Sequence, residues 1–276
     1  MNPADITAQS NTPNILIFDS GIGGLTIAAE ITKILPQHPI IYIADNRLYP
    51  YGTKPDAVLR TRARSLFPIL EAHYHPSIIV IACNSASTLI LDEVRALTDT
   101  PVIGVVPAIK PAAEFSKTGS IGLLATKVTI NRPYTQNLIN QFAGDHNVVS
   151  VGSDILVFQA EQKMHGNPID TDAIRQELLP FINQPNIDTI VLGCTHFPLL
   201  RDEISHILGQ SVELIDSINA IARRTAVTLS KLTPDLPSTL PTPKHRFIFT
   251  APNPKIDEIT PTLHRRGFSD ILIGNH

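Results

Sequence analysis

Apolar residues in this chain fall into short runs separated by stretches with helical spacing. The runs are rich in β-branched residues and predict buried strands at 14–18, 40–45, 78–82, 102–106, 120–126, 147–151, 190–192, 211–216, 246–251 and 271–274. Between the runs, apolar positions recur three or four residues apart, as at Leu59, Ala63, Leu66 and Leu70, which predicts helices. The segment 152–167 fits neither pattern. Alternating strands and helices predict an α/β fold with mostly parallel sheets.

Two of the predicted strands end in the same unusual way. One leads through a small residue to Cys83 and the polar pair 84–85, and the other leads through a small residue to Cys194 and the polar pair 195–196. These two cysteines are the only ones in the chain, and they lie 111 positions apart. The repeat predicts two similar α/β domains, each with a thiol at the carboxyl end of a strand, where open α/β sheets bind ligands. The active site is then the cleft between the domains.

We expect the chain to leave the first domain and later return to it. The predicted division places 1–106 and 217–276 in the first domain and 107–216 in the second. The proline-dense segment 233–244 predicts a linker or surface loop. The polar residues 1–13 predict a frayed tail.

Composition narrows the class of protein. The chain has 276 residues, 43% of them apolar, and a formal net charge of −3 without long charged blocks. That balance argues against binding to nucleic acid or to an anionic membrane mainly by charge. The first residues lack the pattern of a signal peptide, and no apolar run approaches the roughly 20 residues that span a bilayer. We therefore expect a cytoplasmic protein with two free thiols and no metal site.

Two thiols that face each other suit proton transfer at a carbon centre. A strand that ends at a helix places its cysteine near free backbone N–H groups and the positive end of the helix dipole, and both lower a thiol's pKa. One thiolate can then remove a proton from one face of a carbon acid while the opposite thiol returns a proton to the other face. This exchange inverts the centre and needs no metal or organic cofactor.

Other roles fit the same residues. A cysteine at a strand end is more often plain packing, and only the repeated frame argues against that here. Cys194 with His196 as its base also fits a cysteine nucleophile.

Asp19 ends the first strand, directly before the glycine-rich turn 21–24. Its carboxylate can polarise a neighbouring group or cap the helix that follows. The free N–H groups of the turn can bind a substrate carboxylate. A dinucleotide-binding fingerprint fails because Thr26 stands where its last glycine is needed.

Several separated motifs, in order, resemble those of the glutamate racemases, which are cofactor-independent members of the aspartate/glutamate racemase superfamily. The motifs are FDSGIGGLT at 18–26, YIADNRLYPYGTK at 42–54, ACNSAS at 82–87, GVVPAI at 104–109 and LGCTHFPLL at 192–200. The resemblance covers nearly the whole chain, and the last motif is the most specific. The proline-rich segment and the residues beyond it match poorly.

The resemblance implies a function and a set of site residues. Cys83 would take the Cα proton of D-glutamate and Cys194 that of L-glutamate, with Asp19 and His196 assisting the thiols. The substrate's ammonium and carboxylate groups would be held by four adjacent pairs, Asp19-Ser20, Tyr51-Gly52, Asn84-Ser85 and Thr195-His196. It also implies that no cofactor is used, that the product serves peptidoglycan synthesis and cell shape, and that the protein is a homodimer in a bacterial cytoplasm.

Some positions depart from the family pattern. Ser85 stands where threonine is common and keeps the hydroxyl, and Phe197 stands where tyrosine is frequent. Asn131 replaces a small polar residue. Three rival functions remain open at this point: a racemase of aspartate or a related acid, a non-catalytic binding or regulatory module that keeps the fold, and a cysteine hydrolase.

Overall fold

The structure is a computed structural model that describes residues 13–232 and 242–274. The predicted N-terminal tail and most of the proline-rich segment lie outside the described residues.

The described chain alternates strands and helices as predicted. The strands are β1 Ile15–Asp19, β2 Ile40–Ala44, β3 Ile78–Ile81, β4 Val102–Gly104, β5 Ser120–Ala125, β6 Asn147–Gly152, β7 Thr189–Leu192, β8 Glu213–Ile215, β9 His245–Phe249 and β10 Phe268–Ile273. The helices are α1 Leu25–Ile34, α2 Asp56–Tyr74, α3 Asn84–Arg95, α4 Ile109–Phe115, α5 Lys127–Asn131, α6 Pro133–Phe142, α7 Ile155–Met164, α8 Thr171–Ile182, α9 Arg201–Leu208, α10 Ile218–Leu232 and α11 Ile256–Arg265. The ambiguous segment 152–167 is thus mainly the helix α7.

Two parallel sheets organise the molecule. The first has the strand order β10-β9-β2-β1-β3-β4, and the second has the order β6-β5-β7-β8. All strand pairs within them are parallel, for example Ile15 beside Ile40 and Ile121 beside Thr189. The predicted α/β fold with mostly parallel sheets is confirmed. The division at 106/107 and 216/217 stays a prediction.

Helices cover both faces of the larger sheet, which explains why its central strand is a continuous apolar run. Ile15 and Ile17 of β1 pack with α1, whereas Leu16 and Phe18 point to the opposite face and pack with α2. All four side chains are buried. A strand buried on both faces has no polar side to show to solvent, so period-two alternation is absent.

Two helices have local features that depart from what their residue types favour. Helix α2 runs continuously through Pro68, whose ring lies on the exposed side of the helix. Ser217 does not cap α10, because its hydroxyl donates to the carbonyl of Val106 at 2.6 Å. The Asp216 carboxylate accepts the N–H of Ile218 instead, at 2.8 Å. The Ser217 bond joins the two points at which the chain passes between the sheets.

Within the described residues, no helix combines the length and the apolar character needed to cross a membrane.

We expect His245 to make stability depend on pH. The N–H of Ile40 donates to its Nδ1 at 3.1 Å, which requires that nitrogen to be unprotonated, and burial lowers the pKa of His245. The pKa of His245 in the folded protein lies below its unfolded value of about 6.5. The contribution of neutral His245 to the free energy of unfolding is therefore fully present above about pH 6.5 and is lost as the pH falls through the folded pKa. Urea unfolding at about pH 7.5 and about pH 5.5 measures the loss.

The His245→Asn variant keeps an acceptor but cannot be protonated, so it should lose less free energy of unfolding over this interval than the wild type. His206→Asn, at an exposed position on α9, is the control and should behave like the wild type. An equal loss in His245→Asn and the wild type would contradict the assignment.

Candidate active site

Cys83 and Cys194 lie at the carboxyl ends of strands in different sheets. Cys83 follows β3 of the larger sheet and Cys194 closely follows β7 of the smaller one. Both are free thiols, with 4% and 6% of their surface exposed. Both line one cavity of about 180 Å³. That volume is below the roughly 300–1,000 Å³ of pockets for drug-sized ligands and suits a small metabolite.

The cavity gathers nearly all of the predicted site residues. Those in its wall are Ser20, Tyr51, Gly52, Cys83, Asn84, Ser85, Cys194, Thr195 and His196. Of the predicted residues, all of which the structure describes, only Asp19 lies outside the wall. Further wall residues that were not predicted as site residues are Tyr49, Pro50, Thr126, Asp154, Val157 and Phe158.

Cys83 lies in a buried and negatively charged environment. It directly precedes α3, and its Sγ lies 3.6 Å from the hydroxyl of Ser20. Burial and the nearby Asp19 carboxylate together raise the pKa of Cys83 to about 12, against the lowering effect of the Ala86 N–H at the helix start. The predicted lowering by the helix start is present, but desolvation is the larger effect and the net pKa is raised. Cys83 is therefore a protonated thiol at neutral pH.

Cys194 has a different neighbour. The chain after it forms a short 3₁₀ turn, Phe197–Leu200, and α9 begins only at Arg201. The predicted helix terminus directly after this cysteine is therefore wrong. Instead, the Nδ1 atom of His196 lies 3.9 Å from the Cys194 sulfur. The imidazole, rather than a helix dipole, is the charged group beside this thiol.

Glu161 on α7 holds the other side of the His196 ring. The Nε2 atom of His196 lies 2.8 Å from Oε1 of Glu161, and the histidine is 3% exposed. Burial by itself lowers the pKa of His196, but Cys194 and the Glu161 carboxylate together raise it well above its ordinary value. His196 can therefore carry a proton between a thiol and a carboxylate. Glu161 lies 35 positions before His196 and in none of the sequence motifs, so no local pattern predicts this pair.

Asp19 ties the two sheets together behind the cavity. Its carboxylate accepts the N–H groups of Gly21 and Gly24, each at 2.8 Å, and the hydroxyl of Thr195 at 3.2 Å. Burial raises the pKa of Asp19, while the charge of His196 and these hydrogen bonds oppose the rise. The carboxylate thus fixes the glycine-rich turn against the loop that follows β7.

The glycine-rich turn approaches that loop closely. A Cβ atom at Gly23 would lie 2.5 Å from Nδ1 of His196 and 2.7 Å from the hydroxyl of Thr195. Any larger residue would displace the histidine from Cys194. Gly23 is therefore required by close packing rather than by a nucleotide phosphate.

Polar groups in the first turn of α3 face the start of α5, which follows β5 of the smaller sheet. The Ser85 hydroxyl lies 3.1 Å from that of Thr126 and 3.2 Å from that of Thr129. The Oδ1 atom of Asn84 is buried and has no hydrogen-bond partner in the described structure. An unpaired buried acceptor in a cavity wall favours a ligand that brings a donor, such as an ammonium group. Within the described residues, no cluster of three or more His, Cys, Asp or Glu is placed to hold a metal ion.

Known proteins resemble this chain over nearly all of its length. The family model for Asp/Glu/hydantoin racemases matches residues 25–225. The glutamate racemase of Salmonella typhi is 42% identical over 266 residues, which cover 96% of this chain and 93% of that protein.

Solved structures agree in fold. The Escherichia coli glutamate racemase, in complex with L-glutamate and the activator UDP-MurNAc-Ala, is 40% identical with a TM-score of 0.88, over 95% of this chain and 98% of that one. The Francisella tularensis glutamate racemase, in complex with D-glutamate, is 29% identical with a TM-score of 0.79, over 95% of this chain and 97% of that one. The chain therefore belongs to the glutamate racemase family, within the wider Asp/Glu/hydantoin racemases.

Proposed function

We propose that this protein interconverts L- and D-glutamate by moving the Cα proton between two thiols. The observation that carries the proposal is that Cys83 and Cys194, from different sheets, line one small cavity. The family membership supports glutamate as the substrate, since relatives named glutamate racemase match at 42% identity and solved relatives bind L- or D-glutamate.

In the L-to-D direction, Cys194 is the base. Its thiolate takes the Cα proton of L-glutamate, and the electron pair of the broken C–H bond stays on the substrate. The thiol of Cys83 then gives its proton to the opposite face of Cα, which forms the C–H bond of D-glutamate and leaves a thiolate on Cys83. His196, with its raised pKa and its contact at 3.9 Å, holds the proton that Cys194 must lack when it acts as the base.

In the D-to-L direction, the thiols exchange roles. Cys83 must then lose its proton, which the burial of its sulfur and the negative charge of Asp19 oppose. A substrate ammonium group near Ser20 and Asn84 would offset that negative charge and favour the thiolate. In this scheme, the substrate itself supplies the positive charge on the Cys83 side, as His196 does on the other.

The polar wall matches the groups of glutamate. Asn84 Oδ1 offers an unpaired acceptor for the ammonium group, and the hydroxyls of Ser85 and Thr126, either of which can be the donor in their mutual contact, can turn to donate to a carboxylate. We further propose a role in supplying D-glutamate for peptidoglycan synthesis, as a cytoplasmic homodimer without a cofactor. The family resemblance supports this cellular role and the homodimer.

Purified protein should convert L-glutamate to a racemic mixture and should act far more slowly on L-aspartate. Cys83→Ala and Cys194→Ala should each lower kcat by about 10²- to 10⁴-fold or more, because each removes one of the two proton carriers. Chiral chromatography of the products measures the rates. The control is Ser87→Ala, which removes a buried hydroxyl from the same helix without touching the cavity wall. Full activity in either cysteine variant would refute the mechanism.

Each single variant should also show which face its remaining thiol serves. Cys83→Ala keeps the thiol assigned to L-glutamate, so it should exchange the Cα hydrogen of L-glutamate with deuterated solvent faster than that of D-glutamate. Cys194→Ala should show the opposite preference. Proton NMR of the Cα signal measures both rates. The reverse preferences would show that the two thiols are assigned to the wrong enantiomers.

Glu161→Gln should lower kcat by about 10- to 100-fold, because it removes a charged hydrogen-bond partner of His196. Glu161 is one cause of the raised pKa of His196, so the variant should also move the alkaline limb of the pH–rate profile to lower pH. Glu203→Gln is the control, since Glu203 pairs with Lys163 and not with the histidine. An unchanged alkaline limb in Glu161→Gln would contradict the role of His196.

A further inference from the structure

One loop supplies four consecutive residues of the cavity wall, 49–52. It follows β2 and contains two short 3₁₀ turns, Asn46–Leu48 and Tyr51–Thr53, before α2 begins. Short 3₁₀ turns supply few backbone hydrogen bonds of their own, so contacts from outside the loop must fix its shape.

Asp45, at the start of the loop, accepts bonds from three separate parts of the chain. Its carboxylate is fully buried and accepts the Tyr51 hydroxyl at 2.7 Å, which closes the loop on itself. Arg62 of α2 donates to both oxygens, at 3.0 and 2.6 Å. The hydroxyl of Thr250, just past β9, donates at 2.6 Å. One carboxylate thus joins the loop, a helix and the C-terminal segment.

The Asp45 carboxylate is ionised, and its bonds are therefore charge-assisted. Burial alone would raise its pKa, but the bonds from Arg62, Thr250 and Tyr51 and the charge of Arg62 hold the pKa below its ordinary value. Charge-assisted hydrogen bonds are roughly twice as strong as neutral ones. Removing one donor leaves a buried charge only partly satisfied.

The C-terminal segment holds the loop at a second point. The side-chain amide of Asn46 donates to the carbonyl of Ala251 at 2.7 Å and accepts its N–H at 2.9 Å. The N–H of Thr250 also donates to the carbonyl of Ala44 at 3.1 Å. This segment lies about 200 positions beyond the loop and outside the family motifs.

We propose that Thr250 is a positioning residue for substrate binding, acting through Asp45 on Tyr51. The proposal rests on the racemase activity proposed above. The Tyr51 hydroxyl is committed to Asp45, so the loop presents the tyrosine ring and the backbone around Gly52 to the cavity rather than a free hydroxyl. A loop that holds the substrate in the same way before and during proton transfer affects KM more than kcat.

Thr250→Val should raise the KM of both enantiomers by about three- to tenfold and change kcat less than about twofold. Thr250→Ser, which keeps the hydroxyl, should restore the KM. The control is Thr225→Val, because Thr225 is equally buried but its hydroxyl donates only within α10, to the carbonyl of Ile221. That variant should lose stability on thermal unfolding without a change in KM.

A double-mutant cycle tests the route through Asp45. If Thr250 acts on Tyr51, Thr250→Val combined with Tyr51→Phe should raise KM by less than the product of the single effects. An unchanged KM in Thr250→Val, no rescue by Thr250→Ser, or multiplicative effects in the double variant would each overturn the proposal. A wild-type protein that does not racemise glutamate would instead overturn the proposed function, and the same assay distinguishes the two failures.

Discussion

Two thiols buried at strand ends of different sheets share one small cavity, and the rest of the site holds them in that arrangement. Parallel strands bring their carboxyl ends to one edge of each sheet, and here the edges of the two sheets meet at the cavity. Hydrogen bonds cross between the sheets at Asp19–Thr195 and Ser85–Thr126. Because these buried contacts join the loops that carry the two thiols, a shift of either sheet would move one thiol relative to the other.

The two thiols of the cavity have neighbours of opposite charge. Cys83 lies beside Asp19, and its raised pKa of about 12 keeps it a protonated thiol at neutral pH. Cys194 lies beside His196, which Glu161 holds in place and helps to keep protonated. The structure thus combines a thiol near a negative charge with a thiol near a positive one, an asymmetry that suits the proposed proton exchange.

The sequence predicts the parts of this site that are local along the chain. β-branched runs predict the strands, and the repeated frame of small residue, thiol and polar pair locates both cysteines and the polar pair beside each of them in the cavity wall. The family resemblance adds Ser20, Tyr51 and Gly52. Glu161 and Thr250 could not be predicted, because packing brings them to His196 and Asp45 across 35 and 205 positions. The sequence shows the helix that follows Cys83, whose N–H groups lower the pKa of the thiol, but not the depth of burial, which raises that pKa by more.

The central claim is that a different thiol works on each face of Cα, and a time course in deuterated water tests it most directly. The reaction starts from pure, unlabelled L-glutamate, and mass spectrometry follows the Cα label of each enantiomer after chiral separation. With two thiols, the first D-glutamate formed carries deuterium at Cα, because the new hydrogen comes from the Cys83 thiol, which has exchanged with the deuterated solvent. The remaining L-glutamate stays unlabelled at this stage. Early D-glutamate that retains the original hydrogen, or L-glutamate labelled as fast as product forms, would contradict the account.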